Sequence, residues 1–143
     1  MPNLKELVSQ YGSPDILIDS FNKQDKRYAI WGFEEVLQIK NSGLYLNNQL
    51  IKDDWDKVFQ STINKWKKES KNQKVACAGF VSYEFKKYLY QHIRFNNNLN
   101  NSFPYLWFCK PTKIREYDLN QSDYNVESIK LNLNKDIMSL TNY

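Results

Sequence analysis

The sequence holds few of the residues that most often carry chemistry or cross-links. It has two cysteines, Cys77 and Cys109, and a single histidine, His92. Those three cannot complete a four-ligand zinc site without a carboxylate. Both cysteines stand in apolar runs, which reads as buried free thiols. The four glycines are isolated at 12, 32, 43 and 79, so no glycine-rich phosphate loop exists. Gly-x-Ser-x-Gly and His-Glu-x-x-His are both absent. Acidic residues are scattered, with no clear pair for acid–base work. No apolar run is long enough to span a bilayer. The N-terminal Met-Pro-Asn-Leu-Lys-Glu lacks the basic-then-apolar layout of a signal peptide, so the expected location is cytoplasmic. These residues alone do not describe a self-sufficient active site.

What is present is the composition of an ordinary folded domain. With 143 residues, the chain fits one domain and can build a core without disulfides. Hydrophobic residues at 41% and charged residues at 25% exclude a disordered tail and a coiled coil. The net charge of +4 is spread along the chain, a weak pointer to nucleic acid.

Periodicity places the elements. Residues 1–13 read as a short amphipathic helix ended by Gly12. Asp15 to Ser20 reads as a buried strand, and Arg27 to Phe33 as a second, with a bulge or close approach at Gly32. Val36–Lys40 and Leu44–Leu46 flank Asn41-Ser-Gly43, a hairpin signal. Residues 53–69 form the clearest helix. Trp55, Val58, Phe59, Thr62, Ile63 and Trp66 share one face, and the lysines at 65, 67, 68 and 71 read as a solvated helix end. Val75–Ser82 looks like the most buried strand, and Tyr83–Tyr90 like a short helix. Asn96–Ser102 is a polar loop. Phe103–Cys109, Thr112–Tyr117 and Val126–Leu133 read as three further strands. The expected class is α+β: a mostly antiparallel β-sheet or sandwich flanked by helices.

Gly79-Phe-Val-Ser-Tyr83 matches half of an RNA-recognition strand signature. The other half, Ala76-Cys77-Ala78, offers neither a cation nor a stacking ring. Phe80 and Tyr83 therefore read as core or helix-junction aromatics.

Four segments, in order, resemble a known family. Ile16-Leu-Ile-Asp-Ser20 resembles the Leu-Leu-Glu/Asp-Ser strand of chorismate-utilising synthases. Arg27-Tyr-Ala-Ile-Trp-Gly32 resembles their Arg-Tyr-Ser-x-x-Gly strand. Ala78-Gly-Phe-Val-Ser-Tyr-Glu84 resembles Gly-Gly-x-x-Gly-Tyr-x-x-Tyr-Asp/Glu, and Phe103-Pro-Tyr-Leu-Trp-Phe resembles the proline-containing strand that follows. The stretch is similar to the N-terminal domain of component I of anthranilate synthase and aminodeoxychorismate (para-aminobenzoate) synthase. The resemblance implies a β-sandwich-like fold over residues 1–135, with 136–143 as linker or the start of a C-terminal catalytic domain. That domain would hold chorismate and Mg2+, so this stretch by itself is expected to be inactive and free of cofactor.

The resemblance also implies partners and a ligand. The full enzyme aminates chorismate, in folate or tryptophan biosynthesis, with ammonia from a glutamine amidotransferase subunit. A stretch without the catalytic domain is expected to self-associate as a dimer through its uncovered junction. In the family, a tryptophan pocket falls where Asp19, Ser20, Arg27, Tyr28 and Ala29 stand here. Asp19 and Ser20 would accept from the ligand ammonium, and Arg27 or backbone amides would hold its carboxylate. Asp19 in place of Glu, and Ala29 in place of Ser, favour the aminodeoxychorismate branch over anthranilate synthase. Two readings from other classes stand beside this one. The chain could be a free-standing basic domain binding RNA or single-stranded DNA by stacking, although nucleic acid is not the expected partner. Or it could be a small hydrolase using Cys77 or Cys109 with His92.

Overall fold

The computed structural model describes residues 1–19, 26–71, 73–94 and 103–118. The expected loop at 96–102, the expected strand at 126–133 and Ser20 lie outside them. Among the described residues, six strands and three helices make an α+β fold with a mostly antiparallel sheet. The chain divides into two compact units, Met1–Ile30 with Arg115–Tyr143, and Trp31–Ile114.

In the first unit, α1 (Leu4–Tyr11) opens on a capping box. Asn3 Oδ1 accepts from the Glu6 backbone N–H at 2.8 Å, and Glu6 Oε2 accepts from the Asn3 N–H at 3.2 Å. Leu7 is its buried residue, and Gly12 ends it. β1 (Ile16–Ile18) pairs antiparallel with the first residues of β2 (Arg27–Lys40). β1 is not the buried strand its apolar run suggests: Leu17 is 48% exposed. Three residues paired along one edge leave the middle side chain uncovered.

The second unit carries the main core. β2 turns through Asn41 and Ser42 into β3 (Gly43–Leu46), confirming the hairpin. β3 turns again into β4 (Gln49–Ile51), a strand the apolar pattern does not announce. Asn47 and Asn48 both have positive φ, as a two-residue hairpin turn of type I′ needs. α2 (Trp55–Glu69) lays its expected face on the sheet. Thr62 and Trp66 are buried, and Trp55, Val58, Phe59 and Ile63 pack against Leu37, Ile39, Leu44 and Leu106. β5 (Ala78–Val81) leads to α3 (Phe85–Leu89), and β6 (Leu106–Tyr117) follows. The strand order is β4-β3-β2-β6-β5, with β1 on β2 off this path.

Three expectations need correction. Arg27–Phe33 and Val36–Lys40 are one strand. Gly32, at φ 72°, absorbs the irregularity without ending the pairing. Phe103–Cys109 and Thr112–Tyr117 also merge, into β6. Pro111 lies inside it, two residues beyond Cys109, where the pairing with β5 ends. Finally, Val75–Ser82 is not the most buried strand. Only Ala78–Val81 is strand, it is the last in the strand order, and Phe80 and Val81 are 38% and 55% exposed. An apolar run reveals burial only where both neighbours exist.

Candidate amino-acid site at the end of β1

The β1–β2 ladder pairs Ile16 with Ile30, Leu17 with Ala29 and Ile18 with Tyr28. One register step further, Asp19 faces Arg27. Arg27 Nε donates to Asp19 Oδ1 at 2.6 Å. The side chain of Arg27 is only 6% exposed, that of Asp19 is 48% exposed. A buried guanidinium thus fixes a carboxylate that solvent can reach. An ionised carboxylate accepts at about four positions, and the Arg27 bond takes one of them.

The other expected residues fall differently. Tyr28 is half-buried beside the pair. Ala29 is fully buried, so its methyl lines the interior and offers a ligand no contact at the surface. The geometry assigns Arg27 first to Asp19, which makes it a positioning residue for the acceptor. Backbone amides are then the better candidates for a ligand carboxylate.

Electrostatics elsewhere serve the framework. In the second unit, Glu35 accepts from Trp66 Nε1 at 2.9 Å and from Lys65 Nζ at 3.2 Å. Burial pushes the Glu35 carboxyl up, but the hydrogen bonds from Lys65 and Trp66 outweigh it, and the net shift is downward. Lys110 meets Glu34 at 2.9 Å and also Glu69, so it ties β6 to β2 and α2. Lys65, expected in a solvated patch, is engaged with Glu35 and Glu69. Burial raises both thiols above their usual range, Cys109 to about 11. That is the reverse of an activated nucleophile. His92 meets the ring of Tyr90 edge-on, centroids 6.4 Å apart. Among the described residues, no group of three or more His, Cys, Asp or Glu is placed to hold a metal ion. Nor is any helix among them long and apolar enough to cross a membrane.

A feature the sequence did not reveal is a row of rings across β2, β6 and β5, with Phe33, Phe80 and Phe103 exposed around a half-buried Trp107. Phe33 meets Trp107 edge-on at 5.1 Å. Phe80, directly opposite Trp107 in the ladder, lies nearly parallel to it at 6.1 Å, and Phe103 stacks on Phe80 at 5.2 Å. Phe80 and Tyr83 are therefore not core residues. Tyr83 is 82% exposed, with Lys86 Nζ 3.8 Å from its ring centre. Cross-strand register, invisible in a single sequence, is what aligns these rings.

No family model, no curated protein and no solved structure matches the chain.

Proposed function

We propose that this chain is the non-catalytic N-terminal domain of component I of a chorismate-utilising synthase, of the aminodeoxychorismate (para-aminobenzoate) branch. Its role would be to bind a free amino acid, of tryptophan type, at Asp19. One observation carries the reading. The four family-like segments are not scattered but lie on two antiparallel ladders. Ile16–Ile18 pairs with Tyr28–Ile30, and the run ends in the Asp19–Arg27 pair. Ala78–Val81 runs beside Leu106–Cys109. Segments that match in order and also pair in space support a common origin better than four short matches alone.

On this reading the amination chemistry, the Mg2+ and the contact with a glutamine amidotransferase belong to a catalytic domain. The present stretch supplies an amino-acid pocket and a packing surface. The test is genetic. Deleting the gene from its own host should create a growth requirement met by para-aminobenzoate. A requirement met by anthranilate or tryptophan instead would move the chain to the other branch. Growth without either supplement would overturn the proposal.

A second reading is favoured by the row Phe33–Trp107–Phe80–Phe103, exposed except at the half-buried Trp107: a basic domain that stacks single-stranded RNA or DNA on those rings. Binding to an oligonucleotide that weakens with salt and with Trp107→Ala would support it. Absence of binding at low salt would remove it.

A further inference from the structure

A cavity of about 560 Å3 opens beside α3, in the second unit. Lys87 and Tyr88 of α3 line it, with Gln91 and Arg94 from the segment after the helix. Asn41, after β2, and Tyr105, before β6, also line it, with Ile93 as an apolar member. Its size suits a small organic ligand.

Among the described residues, the lining carries two cations and no carboxylate. Lys87 Nζ meets Glu84 at 2.5 Å. An ammonium has three N–H donors, so two remain. Arg94 adds a planar fork of five. The Tyr105 hydroxyl donates to Asn41 Oδ1 at 3.3 Å, which leaves the Asn41 amide N–H2 as its polar offer. Gln91 supplies a second amide. Donors therefore outnumber acceptors, and they exceed the roughly four accepting positions of a carboxylate. The three terminal oxygens of a phosphate monoester match them better. Tyr88 and Tyr105 add ring faces for the organic part of such a ligand.

The geometry points to a binding site for a small, ring-bearing phosphate monoester, with Arg94 and Lys87 as its anion-holding residues. This site is separate from Asp19 and does not rest on the family reading.

Phenyl phosphate is a suitable probe, titrated calorimetrically into the full chain. Saturable binding at millimolar ligand or below is expected. Inorganic phosphate should bind more weakly, because it leaves the ring faces unused, and phenol should not bind. Arg94 is exposed, so Arg94→Gln should leave folding intact and weaken binding at least tenfold. Gln91→Glu, which adds a repelling charge, should weaken it likewise. Equal affinity of wild type and Arg94→Gln would overturn the proposal, as would equal affinity for benzoate and phenyl phosphate, or no saturable binding.

Discussion

A Cβ built on Gly79 would lie 2.1 Å from the carbonyl oxygen of Trp107 and 2.7 Å from the Cα of Phe108. Both are backbone atoms of the adjoining strand, so no side-chain rotation relieves the clash. Gly79→Ala must push β5 away from β6. The expected loss is at least the ~1–3 kcal/mol of an overpacked core site, read as a lower urea midpoint. An unchanged midpoint would mean the two strands are not this close in solution.

The Asp19–Arg27 pair joins a buried cation to a half-exposed carboxylate. Asp19→Ala removes this counter-charge from the buried guanidinium, and the cost should exceed that of an exposed pair yet fall short of a fully buried one, at about 1–3 kcal/mol. Arg27→Met keeps most of the packing and removes the charge that Asp19 answers, so the double variant should lose less than the two singles summed. Additive losses would show the pair to be uncoupled. If the pair also serves a ligand, tryptophan should raise the wild-type melting temperature and leave that of Asp19→Ala unmoved. Stabilisation follows RT ln(1 + [L]/Kd), so at ten times Kd it amounts to about 1.4 kcal/mol. Identical shifts in both proteins would discard the site.

Burial holds the Cys109 thiol at about 11, and the side chain is fully enclosed. At pH 8 only about one thiol in a thousand is then thiolate. In the native protein Cys109 should resist a thiol–disulfide reagent and react once urea unfolds the chain. Cys77→Ser isolates this thiol for the measurement. Rapid native reaction would revive a Cys–His chemistry that the enclosed thiol now argues against.

How much of this was legible in the sequence depends on range. Trp55 to Trp66 announce α2 because a helix repeats within its own turns. Asn41-Ser-Gly43 announces a hairpin because the turn is local. Gly32 and Pro111 look like strand breaks, and neither is. One takes up a positive φ, and the other lies past the end of its neighbour. Strand order is non-local, so the exposure of Phe80 and Val81 at the end of the sheet order could not be read from an apolar run. Likeness to a family motif puts Asp19 and Arg27 at one pocket, but on opposite ends of a ligand; their direct contact, across eight residues, is visible only in the fold. The cavity beside α3 left no signal at all, because Asn41 and Arg94 meet only through the fold.

Glu35 provides the acid-sensitive link between β2 and α2. Its hydrogen bonds from Lys65 and Trp66 hold its carboxyl below the ordinary value of 4.5, against the upward push of burial. The unfolded chain therefore takes up a proton at a higher pH than the folded one. The stabilisation is fully present above pH 4.5 and is lost as pH falls through the lower folded value. The urea midpoint should drop over that range, beyond the general acid sensitivity of the other carboxylates. Glu35→Gln keeps an acceptor for the buried Trp66 indole but removes the titration. The variant should be less stable than wild type at neutral pH, because Lys65 loses one of its two counter-charges, and the gap should close as the pH falls through the lowered value of Glu35. Parallel curves for the two proteins would show that Glu35 keeps its ordinary acidity in the fold and that its contacts with Lys65 and Trp66 do not favour the ionised form.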